Sequence, residues 1–481
     1  MIYLKFCVVF FVWSIWLKAV FELFFSTNSL NKFLMVSAFL APFYSISFPL
    51  FGFQFSIYKL IIPLVLLYTL LFYKTIHKNI LIISTYFLII SLFSYMFALY
   101  NNYFDFVIDY GRAPFSAYTQ PILQGLLLII TIGAPWILIK KNIFLDIFRI
   151  FSYYIYGCVL LVLLGWIQIL FYKLNIPWFD FWFLIDAFDR SAESFENTLE
   201  TGLRVLANEG GYFRMSSLGG EPRHFSAFVV LSIILLLWLR KNSPNRMPYI
   251  HGSFGNLILS LLISGVFASL SSSAFLSLIV GIVVYYSIQS RVLLFLNSYL
   301  IFFLMLLFIY NGFNDEIRYE FDRDGSFLYK LVWKFSSIDL MLYAAPKDAF
   351  AVRAIINDIW HFLIGYGVNM ADLYVPELHL RYDTPFGEVN NYELSVPLQS
   401  SVVPTSGILQ IILSGGVVGA GLLILLLFKT CISLDKNILV LIVTILTMVT
   451  ISSSVIFQLG LIFISLLIYH GKSQKLTIIK L

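Results

Sequence analysis

Charge is what this chain has least of: Asp, Glu, Lys and Arg make up 12% of its 481 residues, against about 25% in soluble domains. That shortage excludes an ordinary water-soluble fold, because too few polar side chains remain to cover one. Cysteine is scarce too, and Cys7, Cys158 and Cys431 fall in separate apolar windows. Such spacing excludes a disulfide framework or a thiolate metal site, and all three read as small core residues. No short apolar stretch ends at a small-residue cleavage site, so no removable signal peptide is expected. Zinc-spaced ligands, a glycine-rich nucleotide loop and a Ser–His–Asp pattern are likewise missing. The net charge of +5 is small, its placement says more than its sum, and it does not suggest a nucleic-acid partner.

What is abundant is apolar: 60% of residues are hydrophobic, with 49 Phe and 29 Tyr. Windows long enough to cross a bilayer fall at 4–25, 32–50, 56–73, 79–100, 118–140, 148–172, 223–240, 254–289, 291–311, 403–428 and 436–470. Two of these are too long for one crossing and carry serine-rich middles, SLSSS at 269–273 and ISSS at 451–454, so each is expected to be a pair of helices. The expectation is an all-α polytopic membrane protein with about 12 or 13 transmembrane helices. Lys5, Lys18 and Glu22 interrupt residues 1–25, which either span with an outside N-terminus or lie along the interface.

Lys74, Lys78, Lys140, Lys141, Arg149, Arg240, Lys241, Arg246, Arg291, Lys429, Lys436, Lys472, Lys475 and Lys480 then share one side, which the positive-inside rule makes cytoplasmic. Two long connections face the other way. The chain divides into N-terminal spans (1–172), a first outer loop (173–222), central spans (223–311), a second outer loop (312–402) and closing spans (403–481). The first loop opens with NIPWFDFWFLIDAFDR (175–190), whose rings suit the headgroup level of a membrane surface. The second has helical apolar spacing in 327–342 and 348–365, separated by Pro346, and reads as a small folded cap.

The rare charges gather at the mouths of the spans. RMSSLGGEPRHF (214–225) holds Arg214, Glu221, Arg223 and His224 just before an uncharged run that lasts until Arg240. Gly219–Gly220 permits a tight turn and Pro222 suits the first position of a helix, whose N-terminus attracts anions. Arginine is permanently charged and presents a planar fork that matches phosphate oxygens two at a time. Arg204, Arg214 and Arg223 in the first loop, with Arg318, Arg323, Arg353 and Arg381 in the second, are therefore candidates for holding a lipid phosphate or pyrophosphate. A lone arginine beside a span often only snorkels to headgroups; the interleaved Glu221 and His224 favour a site. His361, between Trp360 and Phe362, reads as a packed structural residue, and His379 beside Arg381 fits either role. DEIRYEFDRD (315–324) is only faintly like a calcium loop and lacks its glycine and closing glutamate, so no metal is expected there.

The Arg–Ser–Ser…Glu–Pro turn running into a span, Arg353 followed by LIGYG (363–367), and SGILQIILSGGVVGAGLLILLLF (406–428) together resemble the Wzy-type O-antigen and capsular polysaccharide polymerases. Residues 200–430 carry the resemblance, and the N-terminal spans match by hydropathy alone. It implies a metal-independent, GT-C-like glycosyltransferase of a bacterial inner membrane with its site facing the periplasm and no cofactor. Such an enzyme moves a growing glycan from undecaprenyl pyrophosphate to the terminal sugar of an incoming lipid-linked repeat unit, and a chain-length regulator is its usual partner. Related O-antigen ligases carry a histidine before the closing span, where this chain reads VVPTSGIL (402–409). On this reading Arg214, Arg223 and Arg353 meet the leaving pyrophosphate. Glu221 is the general base with His224 as runner-up, or else Glu221 orients an arginine. A ligase acting on lipid A-core and a lipid-linked-sugar flippase are the alternatives. Large loops and nearly uncharged spans argue against transport.

Overall fold

The computed structural model describes residues 2–26, 29–44, 46, 48–50, 53–74, 76–109, 112–139, 145–174, 208–209, 212–219, 222–243, 250–287, 351–352, 354–355, 359–374, 406–451 and 454–479. Fourteen helices of at least six residues order these as α1 (Ile2–Phe25), α2 (Ser29–Leu40), α3 (Ile57–Tyr73), α4 (Lys78–Tyr100), α5 (Tyr103–Asp109), α6 (Pro114–Ile132) and α7 (Ile147–Lys173), then α8 (Pro222–Asn242), α9 (Gly252–Ala268), α10 (Ser272–Ser287), α11 (Ile359–Ile364), α12 (Gly407–Cys431), α13 (Lys436–Ile451) and α14 (Ser454–Ile479). Two small antiparallel hairpins interrupt them, β1 (Phe48–Leu50) with β2 (Phe53–Phe55), and β3 (Asn208–Glu209) with β4 (Tyr212–Phe213).

Seven helices among the described residues are long and apolar enough to cross a membrane: most of α1, α4, α6, α7, α8, α12 and Ile456–Ser473 of α14. The chain is a multi-pass helical membrane protein. Both serine-rich windows are helix pairs, α9–α10 and α13–α14. The window at 32–50 is a correction. Its helix stops at Leu40 before Pro42, so α2 is about 18 Å long, short of a bilayer, and a β-hairpin follows. The 118–140 window starts earlier, at Pro114, and its α-helix ends at Ile132 ahead of a 3-10 turn at Ala134–Trp136. The 291–311 window and both loop segments at 175–190 and 327–342 lie outside the described residues.

Side-chain pairs set the helix directions. Phe148 stacks on Trp238 at 5.6 Å and Tyr154 donates to the Phe228 carbonyl at 3.0 Å, so α7 and α8 run antiparallel. Asn79 reaches Thr430 and Tyr86 reaches the Gly415 carbonyl, so α4 and α12 do too. As a result Lys74, Lys78, Arg149, Arg240, Lys241, Lys429 and Lys436 collect at one end of the bundle, the basic end. The opposite end holds residues 212–219 and 366–374, described parts of the two long connections. Trp16 donates to Ser37 and Lys32 pairs with Glu22, which lays α1 antiparallel along α2 and gives Glu22 a local counter-charge.

Helix α8 is the central post. In its spanning window 78% of residues are buried within the protein, against 28% for α4, so α8 is ringed by helices and α4 faces outward. Phe225, Phe228 and Trp238 are fully or nearly fully enclosed there. Cys158 and Cys431 are core residues as expected, but Cys7 is exposed: α1 lies at the edge of the bundle and turns that side outward.

Candidate functional site

The segment 214–219 descends into the connection end of the bundle between α7, α8 and α9. Gly165 of α7 makes room for it, because a Cβ there would sit 2.5 Å from the Met215 sulfur, and Met215 is fully buried. The Met215 N–H donates to the Ala268 carbonyl (2.9 Å) and Arg214 Nε to the Ser269 carbonyl (3.3 Å), tying the segment to the end of α9. Gln168, completely enclosed in α7, holds the rest. Its Oε1 accepts the backbone N–H groups of Ser216 (3.2 Å) and Ser217 (2.7 Å), and its Nε2 donates to Ser216 Oγ (3.2 Å). Two successive N–H groups converging on one oxygen form the kind of concavity that elsewhere receives an anion; here a neutral amide fills it.

Ser217 adopts a left-handed backbone, φ +51°, that side chains other than glycine avoid at a cost of about 1–3 kcal/mol. Its hydroxyl is buried and has no hydrogen-bond partner among the described residues. A strained residue with an orphan hydroxyl persists only because Gln168 and Met215 over-determine the turn. Replacing Ser217 with glycine is expected to relieve both defects and raise the melting temperature of the purified protein by a few degrees, read by scanning calorimetry. A lower melting temperature would show that the hydroxyl has a stabilising role.

Five residues after Ser217, Pro222 opens α8 at its first helical position, as its sequence predicts. Arg223 and His224 occupy the same first turn, both half-buried, and the His224 ring lies 5.0 Å from Tyr44 after α2. Arg214, Arg223 and His224 thus flank one short connection at one end of the bundle. Glu221, Arg204, Arg318, Arg353, His379 and Arg381 lie outside the described residues. Among the described residues no cluster of three His, Cys, Asp or Glu side chains occurs.

A second polar assembly is built around LIGYG. Helix α12 is broken at Gly416 (φ +64°, ψ −173°), and residues 363–367 fill the break. The Tyr366 N–H donates to the Leu413 carbonyl (2.9 Å) and the Gly367 N–H to the Ser414 carbonyl (3.0 Å), while Tyr86 of α4 caps the Gly415 carbonyl (2.8 Å). These are the groups an interrupted helix would leave bare, a burden tolerated at membrane depth only when protein satisfies it. Gly415 and Gly419 do serve close helix contact, as their spacing implies: a Cβ at either would press on Phe87 or Tyr86. The segment continues along α4, where the Val368 N–H donates to Ser91 Oγ (2.9 Å) and Ser94 Oγ donates to Tyr374 Oη (2.7 Å). His361 is packed as expected, stacked on Tyr366 with ring centres 3.8 Å apart.

Arg112 and Asp372 close this assembly as an ion pair, 2.7 Å apart, with side chains 1% and 3% exposed. They are the two buried charged residues among those described. Burial pushes the Asp372 carboxyl above its ordinary range, and the Arg112 guanidinium opposes the rise.

Reading the sequence for charge at span mouths found Arg214, Arg223 and His224. It passed over Gln168, Ser217, Arg112 and Asp372. The available signals were a lone glutamine inside the apolar run GWIQIL (165–170) and an arginine ahead of a proline in YGRAPF (110–115). No family model, curated protein or solved structure matches this chain.

Proposed function

We propose that this protein is a metal-independent glycosyltransferase of GT-C-like organisation that polymerises undecaprenyl-pyrophosphate-linked repeat units at the outer leaflet. One observation supports the reading above others: Arg214 and Arg223, with His224, border a turn that a buried amide holds in a strained, defined shape at the end of the bundle. Fixed guanidinium groups in a partly dry setting stabilise a leaving pyrophosphate without reorganising as its charge develops. In the proposed step an acceptor sugar hydroxyl attacks the anomeric carbon of the lipid-linked donor. The bond to the pyrophosphate oxygen breaks, its charge falls on the arginines, and the hydroxyl proton passes to Glu221 or, failing it, His224. Arg353 of the second loop completes the clamp in this reading.

Incubating purified protein in lipid with synthetic undecaprenyl-pyrophosphate-linked repeat units and a chelator tests it. A ladder of lengthening lipid-linked products is expected. Transfer to lipid A-core without a ladder would mark a ligase, and no transfer at all would remove the proposal. Arg214→Lys keeps the charge and loses the fork, so chain extension is expected to fall on the order of a hundredfold. Full activity in both Arg214→Lys and Arg353→Lys would eliminate the pyrophosphate clamp. Unchanged turnover in Glu221→Gln, at normal expression, would move the base elsewhere.

A further inference from the structure

We infer that Arg112 is a positioning residue which, through Asp372, sets how residues 366–374 of the second long connection sit on the bundle. The chain of contacts is continuous. Arg112 follows α5 and its own N–H is held by the Val107 carbonyl (3.1 Å). Its guanidinium meets Asp372 in the short 3-10 turn Ala371–Tyr374. Tyr374 is bonded to both the side chain and the carbonyl of Ser94 on α4. Upstream in the same segment, Tyr366 donates from its hydroxyl to the Ala354 carbonyl at 2.7 Å, and Ala351 and Ala354 are fully buried in the same apolar cluster. Residues 351–352 and 354–355 therefore take their place from residues 366–374, which take theirs from Arg112, Ser91, Ser94 and the break in α12.

A packing role alone does not call for charge here. Apolar residues of similar volume often replace a buried ion pair without loss of stability, so the pair is better explained by register than by energy. A carboxylate on a guanidinium admits one position of the turn, where a greasy contact tolerates sliding. This inference rests on the proposed function in one respect: the positioned connection carries Arg353, assigned above to the diphosphate.

Two measurements on the full-length protein in nanodiscs test it. In Asp372→Asn, amides of 351–374 are expected to exchange hydrogen at least about tenfold faster while those of 215–239 keep their rates. The same result is expected for Arg112→Met/Asp372→Leu, which leaves no lone charge. Unchanged exchange at 351–374 in either variant overturns the inference, as does an equal rise across both regions, which would mean general loosening. The second measurement is binding of farnesyl diphosphate, expected to weaken about tenfold in the double variant. Wild-type affinity in a variant whose 351–374 exchange has risen would overturn the link to the diphosphate. Failure of the wild-type protein to bind farnesyl diphosphate would sink the proposed function and leave the exchange result to decide the positioning role by itself.

Discussion

Gln168→Leu is expected to unfold the connection end of the bundle and to lower the melting temperature by several degrees. The two side chains are similar in bulk, so the loss is polar. Leucine leaves the N–H groups of Ser216 and Ser217 and the Ser216 hydroxyl without their shared partner, in a place where Ser216 and Ser217 are each 1% exposed. An orphaned buried polar group costs about 1–3 kcal/mol, and three at once exceed what a turn already in left-handed strain can absorb. Differential scanning calorimetry in detergent reads the melting temperature, and limited proteolysis between α7 and α8 reads local opening. Gln168→Glu discriminates the cause. A carboxylate accepts from both N–H groups as the amide oxygen does, so it is expected to retain most of the stability if hydrogen-bond acceptance is what matters. Equal stability of the leucine variant and the wild type would remove Gln168 from any organising role.

Gly365→Ala is expected to be as damaging, for a steric reason. Gly365 has φ +77°, and a Cβ there would stand 2.6 Å from the backbone nitrogens of Gly415 and Gly416. Those atoms belong to the break in α12 and cannot rotate aside as a side chain would. Either the 363–367 segment withdraws and exposes the Leu413 and Ser414 carbonyls, or α12 shifts against α4. Each route costs several kcal/mol by the sum of backbone strain and lost buried hydrogen bonds, on the order of 3–5. The expected observation is a large fall in the yield of monodisperse protein on size exclusion, whereas Gly421→Ala, with nothing within 4 Å of the added methyl, should leave it unchanged. Normal behaviour of Gly365→Ala would mean that the loop and the helix break do not meet as described.

Hydropathy made the architecture legible because a bilayer imposes a one-dimensional rule. The serines at 269–273 and 451–454 sit where long apolar runs must turn, and Pro222 sits where a helix must start. Local residues carried those decisions. The window at 32–50 failed for the complementary reason: it is apolar throughout, but the helix stops ahead of Pro42, and Pro49 falls in the β-hairpin that follows.

The site was legible only where it announces itself in charge. Arg214, Arg223 and His224 stand out against an apolar background. Gln168 does not, since one amide hardly changes a window, and the groups it serves lie 48 and 49 residues further along the chain. Arg112 stands two residues ahead of Pro114 at the start of α6, and nothing near it in sequence indicates that Asp372 is its counter-ion. Ser217 is ordinary in composition and exceptional in conformation, which no reading of residue types detects. LIGYG stood out only through a resemblance, whereas its two glycines have a packing role that no resemblance states: they let backbone meet backbone inside a broken helix.

That break also orders how the protein matures. Residues 363–367 leave the ribosome before α12, yet they have no ladder to complete until α12 arrives, and α12 cannot stay open in hydrocarbon without them. Break and segment therefore satisfy each other, and neither is complete until both have been made. A nascent chain halted before residue 413 would hold every contact of the α1–α2 pair and none of this lock.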